Sequence, residues 1–219
     1  MTSIADNLQA VRARLGAVIL LAVSKGHGAA SVRQAAAAGQ KAFGENYVQE
    51  AVEKMDALGA EAKGLEWHLI GPLQSNKTRV AAERFDWVQT VATEKVARRL
   101  SEQRPASLPP LNVLIQVNAS GESTKSGVSP DGVAALASAI APLKGIKLRG
   151  LMAIPEPGAP RARFHEVNIL YTELKREFGF DTLSMGMSDD MDLAIAEGST
   201  MVRVGTAIFG ARPKARHAA

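Results

Sequence analysis

The 219-residue sequence has no cysteine, which removes disulfides, thiolate metal centres and cysteine nucleophiles at once. It also has no long hydrophobic run. The longest, Ala17 to Val23, falls far short of the ~20 apolar residues a membrane span needs. The N-terminal stretch "MTSIADNLQAVRARLG" is amphipathic, carries Asp6 and lacks the continuous apolar core of a signal peptide, so a cytoplasmic protein with no membrane partner is expected. Charge of one sign is scarce too. The net charge is +4, part of it in Arg212, Lys214 and Arg216, too weak and scattered for a nucleic-acid footprint. Aromatics amount to only 5% while hydrophobic residues make up 46%, a balance that suits small-residue helices packed tightly on a sheet or barrel within one domain spanning residues 1–219.

Short apolar segments alternate with helical patterns along the whole chain. A first helix is predicted over residues 3 to 15, with Ile4, Leu8, Val11 and Leu15 on one face. "AVILLAVSK" follows, apolar on every side as in a strand buried on both faces. Ser31 and Gln34 have capping-box spacing for the next helix. Further strands are expected in "KAFGEN", "EWHLIG", "FDWVQTV", "LNVLIQVNAS", "IKLRGLMAI", "DTLSMGMS" and "TMVRVG". Helices are expected between them, over about 47–58, 76–84, 93–103, 129–141, 161–178 and 189–197, the fourth opened by Ser129-Pro130. Eight such repeats predict a single (β/α)₈ TIM barrel with an extra N-terminal helix; an open doubly wound sheet is the alternative.

In a (β/α)₈ barrel the site lies at the carboxyl ends of the strands. Those ends hold Lys25, Glu45-Asn46, Gly71-Pro72, Asn118, Met152, "SMGMS" and "RVGTAIFG". Loops after strands 7 and 8 commonly bind phosphate in such barrels. Here they offer Ser188, read as the cap of a helix begun by Asp189 and Asp190, and Gly205-Thr206, where glycine lets backbone N–H groups approach an anion. Arg203 alternates with Val202 and Val204, so it faces the opposite side of its strand; inside a barrel its guanidinium must find an acceptor, a neighbouring carboxylate among the options. Lys25 follows an apolar strand, where desolvation favours a neutral, nucleophilic amine. "GHGAAS" after it falls one glycine short of a dinucleotide fingerprint, with Glu45 as the matching ribose acid. An amine, an arginine for a ring nitrogen and a phosphate site on one rim are instead the parts of a pyridoxal-phosphate site.

The motifs "AVSK", "FGENYVQE", "WHLIGPLQSNK", "VNASGESTKSG", "LMAIP" and "LSMGMSDDMDLAIAEGSTMVRVGTAIFG" resemble those of the pyridoxal phosphate homeostasis protein family over nearly the whole chain. That resemblance implies a barrel similar to the N-terminal domain of alanine racemase, pyridoxal 5'-phosphate as cofactor, and Lys25 carrying it as a lysine aldimine. It further implies that Ser188, Gly205 and Thr206 bind the phosphate, that Arg203 faces the pyridine nitrogen, and that Asn46 lies near the ring. The implied role is carriage of the cofactor in vitamin B6 homeostasis, with recipient apo-enzymes as partners and no established turnover. One departure stands out: Gly26-His27-Gly28 occupies the place of a Thr-Lys-Pro-like sequence, and a flexible loop is expected there.

An amino-acid racemase with a minimal site is the alternative function. Arginine can only donate to a pyridine nitrogen, which leaves that ring a weak electron sink. A two-base racemase also needs a second acid/base. The tyrosines, Tyr47 and Tyr171, both read as helical packing residues, and the chain ends at Ala219 without room for a second β-domain, so a monomer is expected. "SGESTKSG" misses both Walker A glycines, and Lys125 within it reads as a surface residue near the rim. His68 reads as a hydrogen-bonded core histidine; His27, His68, His165 and His217 have no metal-ligand spacing. Met185, Met187 and Met191 read as packing.

Overall fold

The computed structural model describes residues 2–120, 126–156 and 158–211; Lys125, Arg212, Lys214, Arg216 and His217 lie outside the described residues. The elements run α1 (Ile4–Arg12), β1 (Ile19–Val23), α2 (Ala29–Ala37), β2 (Ala42–Glu45), α3 (Val48–Leu58), β3 (Glu66–Leu69), α4 (Thr78–Arg84), β4 (Trp87–Val91), α5 (Glu94–Gln103), β5 (Leu111–Val117), α6 (Pro130–Ile140), β6 (Ile146–Ala153), α7 (Arg161–Phe178), β7 (Thr182–Ser184), α8 (Met191–Ala196), β8 (Met201–Val204) and α9 (Thr206–Phe209). Each strand pairs in parallel with the next, and β8 returns to β1 through Ile19–Met201, Leu20–Val202, Leu21–Arg203 and Ala22–Val204. The sheet is a closed eight-stranded barrel, which excludes the open doubly wound alternative and with it the dinucleotide crevice. No helix among the described residues is long and apolar enough to cross a membrane.

Local chemistry explains the helix ends. Ser3 accepts the Asp6 N–H at 3.1 Å while Asp6 accepts the Ser3 N–H at 3.2 Å, a reciprocal cap that starts α1. The helix stops at Arg12, ahead of Leu15, and Gly16 takes the left-handed φ of +57° that turns the chain into β1. The expected Ser31–Gln34 capping box does not form. Gly28 is the cap residue of α2, and Ser31 already sits inside the first turn, its N–H donating to the Gly28 carbonyl at 3.0 Å. At α6, Pro130 takes the first helical position after Ser129, as its fixed φ favours.

Apolar residues fill two zones. The larger lies between strands and helices, where Phe43, Trp67, Val113, Leu151 and Val202 meet Leu8, Val32, Ala51 and Phe164. The second is the barrel interior, split into Leu21, Val23, Ala42, Ile70 and Met201 on one side and Trp87, Leu114 and Met152 on the other. Between the two interior groups run buried polar side chains, His68, Gln89, Ser184 and Arg203.

β6 shifts register against β5 between Val113 and Leu114, next to Gly150. Gly150 has φ +149°, and a Cβ there would lie 1.9 Å from the Thr182 carbonyl oxygen of β7. Backbone on backbone cannot yield cheaply. Gly150→Ala is therefore expected to destabilise the fold by about 3 kcal/mol, seen as a lower urea midpoint at unchanged m-value.

Candidate functional site

β1 ends at Val23, and Lys25 stands two residues beyond it, half-buried in a turn over the barrel mouth. Gly26 adopts φ +76° and the His27 N–H donates to the Ser24 carbonyl at 3.0 Å. His27 is only 8% exposed, its ring centroid 5.2 Å from that of Phe209. The Gly26-His27-Gly28 segment is thus a hydrogen-bonded turn packed onto α9, and the flexible loop expected there is corrected by the burial of His27.

The backbone on both sides of Lys25 is gripped by a buried ionic cluster. Lys54 of α3 donates to the Ser24 carbonyl at 2.7 Å and to Glu45 Oε1 at 2.5 Å. It also pairs with Glu50 at 2.9 Å, and Glu50 Oε1 accepts the Gly26 N–H at 2.6 Å. The Ser24 hydroxyl donates to Glu45 at 2.6 Å. Burial pushes the Glu45 carboxyl above the ordinary carboxylate range, with the Lys54 charge opposing it, and its Oε2 is buried without a hydrogen-bond partner among the described residues. Glu45 is therefore committed to holding the Lys25 turn and is not available to a ribose.

Across the closing seam lie the loops after β7 and β8. Gly186 has φ +95°, and a Cβ there would fall 2.5 Å from Ala194 Cβ, so only glycine lets this loop lie flat on α8. Ser188 is half-buried in the loop but does not cap α8. Asp190 takes that position, and its Oδ1 accepts the Met187 N–H at 2.5 Å; a carboxylate is the stronger acceptor for a loop amide, which leaves the Ser188 hydroxyl for other work. Gly205 leads from β8 into α9, whose first internal bonds run from Ile208 and Phe209 to the Gly205 carbonyl. The Thr206 and Ala207 amides precede those bonds, as first-turn donors do, and Thr206 is exposed. A Cβ on Gly205 would lie 3.1 Å from the Val23 carbonyl oxygen, which shows how closely this turn abuts the strand that carries Lys25.

Arg203 points into the barrel and is 3% exposed. No carboxylate pairs with it among the described residues; Nη1 donates to the Ser184 hydroxyl at 2.8 Å and Nη2 to the Ala153 carbonyl at 2.8 Å. Burial pushes its pKa down to about 10, opposed by the Asp190 charge, so it remains a cation at neutral pH. Asn46 follows β2, half-buried, where β3 crosses so closely that a Cβ on Gly71 would lie 2.0 Å from the Asn46 carbonyl oxygen. Lys25, Asn46, Ser188, Gly205 and Thr206 follow the carboxyl ends of their strands, while Arg203 lies within β8 opposite Leu21, and Gly205 abuts Val23 across the β1–β8 seam. Tyr47 departs from expectation: it precedes α3 and is 66% exposed instead of packed. Tyr171 is buried outside the barrel against Phe180. Met185 and Met191 pack as expected, whereas Met187 is exposed.

The model of the alanine racemase N-terminal domain matches residues 1–213. A pyridoxal phosphate homeostasis protein of Pseudomonas aeruginosa is 54% identical, with 97% of each chain covered, and that of Escherichia coli K12 is 52% identical over 97% of this chain and 98% of its own. This chain belongs to the pyridoxal phosphate homeostasis protein family. Among solved structures, PipY of Synechococcus elongatus with pyridoxal phosphate bound superposes with a TM-score of 0.86 at 39% identity, covering 95% of this chain and all of PipY.

The family's motifs do not expose the supporting groups. Lys54 and Glu50 carried one signal, an i,i+4 acid–base pair on α3, which reads equally as a solvated helix face. Gln89 stands between Val88 and Thr90 in β4 and Ser184 ends β7, both fully buried, and their neighbours in the sequence do not mark either position. Removing Lys54 strands two carboxylates under the Lys25 turn. Lys54→Met is expected to destabilise the fold by about 3–5 kcal/mol, and Glu45→Gln added to it should recover a clear part of that loss, measured as a non-additive double-mutant cycle in urea.

Proposed function

We propose that this protein binds pyridoxal 5'-phosphate at the barrel mouth and carries it in the cytoplasm, as a monomer that exchanges the cofactor with recipient apo-enzymes. One observation supports the reading: barrel closure brings Gly205, at the start of α9, against Val23, two residues before Lys25. The donor set fits the group. Lys25 supplies the amine for the cofactor's aldehyde. Gly205 and the first-turn amides of α9, with the Ser188 and Thr206 hydroxyls, suit a phosphate. Arg203, fixed by two of its five donors, turns the remainder toward the ring, and Asn46 borders it.

Bound pyridoxal phosphate supplies an aldehyde and a ring able to accept electron density. The residues present restrain the second property. Arg203 stays a cation at neutral pH and donates a hydrogen bond without releasing its proton, so the pyridine nitrogen it faces stays unprotonated. Tyr47 is exposed and Tyr171 lies outside the barrel, which leaves a second acid/base opposite Lys25 without a candidate among the tyrosines. Binding and release, not racemisation, is the activity this equipment serves.

Purified protein is expected to take up pyridoxal phosphate and turn yellow, with a visible band that borohydride abolishes and that Lys25→Ala lacks. A folded parent protein that stays colourless with excess cofactor would overturn the reading. Steady, Lys25-dependent interconversion of amino-acid enantiomers, followed by chiral chromatography, would replace the carrier with a racemase.

A further inference from the structure

A single file of hydrogen bonds crosses the barrel interior from Arg203 to the opposite mouth. Arg203 Nη1 meets the Ser184 hydroxyl at 2.8 Å, and that hydroxyl meets Gln89 Oε1 at 2.7 Å. Gln89 Nε2 meets His68 Nδ1 at 2.9 Å, and His68 Nε2 meets Glu66 Oε1 at 2.7 Å. Ser184, Gln89 and His68 are fully buried, whereas the Glu66 side chain is 47% exposed at the amino end of β3. The four bonds join β8, β7, β4 and β3.

Chemistry gives this file one direction. A guanidinium only donates, so the Ser184 oxygen accepts and its single proton goes to the Gln89 carbonyl. The amide then presents N–H to His68 Nδ1, which must be the unprotonated nitrogen, and the imidazole proton sits on Nε2 facing Glu66. Every member donates toward the carboxylate. Such chains polarise cooperatively in a low-dielectric interior, which makes the Ser184 oxygen a stronger acceptor than an isolated hydroxyl. His68 is held by more than its two bonds: it stacks on Trp87 with centroids 5.0 Å apart and planes at 8°, and Trp87 is covered by Arg149 at 4.8 Å. Gln89 Nε2 has a further contact with Met201 Sδ at 3.2 Å.

We propose that Gln89 is a positioning residue for the cofactor site: through Ser184 it locks the Arg203 guanidinium, and through His68 it ties that lock to the Glu66 carboxylate at the far mouth. The inference rests on the reading that Arg203 faces the cofactor's ring. Without the file, Arg203 keeps the Ala153 carbonyl alone and rotates about it, and the donors aimed at the ring lose their direction.

Nitrogen-15 NMR of the cofactor-free protein tests the file itself. His68 is expected as the Nε2-protonated tautomer at neutral pH, and Arg203 with resolved, slowly rotating guanidinium signals. A His68 proton on Nδ1 would overturn the directed file. Gln89→Leu should broaden the Arg203 signals, weaken pyridoxal phosphate binding about tenfold, the worth of one hydrogen bond to a charged group, and shift the visible band. Gln89→Glu, which still accepts from Ser184, should restore affinity to within about twofold while adding a proton on His68 Nδ1 beside the one on Nε2 that faces Glu66. Should Gln89→Leu fail to fold, Ser184→Ala, which deletes one oxygen, carries the same expectation. If Arg203→Ala alters the band and folded Gln89→Leu does not, the positioning role is wrong and the site reading stands. If Arg203→Ala itself leaves band and affinity unchanged, Arg203 does not face the ring, and both readings fall.

Discussion

Everything at the barrel mouth depends on β8 closing onto β1. The two strands are the most distant in sequence, and their four-residue register brings Leu21 opposite Arg203 and Ala22 opposite Val204. A slip of one residue would send Arg203 outward into the layer of helices and Val202 or Val204 inward, because side chains alternate faces. The same slip would separate Gly205 from Val23, whose carbonyl oxygen lies where a side chain on that glycine would press. Closure therefore determines in one stroke which face Arg203 occupies and which turn borders Lys25.

Closure also creates an interior that must be filled, and this protein fills it unusually. A barrel of this kind is normally packed by layers of branched apolar side chains. Here polar groups divide two small apolar sets, and each member of the file is hydrogen-bonded to the next. An arginine buried alone would be severely destabilising. With Ser184, the Ala153 carbonyl and the ordered donors behind them, it is tolerated and immobilised. Beneath Lys25 the solution is different, an ion cluster in which Lys54 meets two carboxylates and a carbonyl.

Much of this fold was legible in the sequence because its signals are local. Eight short apolar segments between periodic helical ones led to the barrel, and the rim residues followed from its geometry. The misreadings share a physical cause, which is competition between nearby groups that spacing alone does not rank. Ser31 has capping spacing, yet Gly28 reaches the cap position first and the helix starts ahead of it. Ser188 has the composition of a cap, yet α8 begins only after Asp190, whose carboxylate binds back to the Met187 amide. The short helix α9 at Thr206–Phe209 was not expected, since four residues carry no periodicity. His27 looked like a loop residue because its partner, Phe209, is 182 positions away. Lys54, Glu50, Gln89 and Ser184 drew no attention for a similar reason: each is decided by contacts between elements, which a linear pattern does not show.

The choice between carrier and racemase comes down to what a buried arginine can do at a ring nitrogen. A pyridinium held by a carboxylate takes up a carbanion's charge better than a neutral pyridine does. Arg203 is a cation even with its pKa depressed to about 10, so on the proposed reading it opposes a second positive charge on the ring nitrogen. The directed file adds to this: every link in it donates toward Glu66, so it has no free acceptor to offer at the Arg203 end. On the proposed reading, a ring held this way is oriented and kept electronically quiet, as suits a molecule that must deliver its cofactor unaltered.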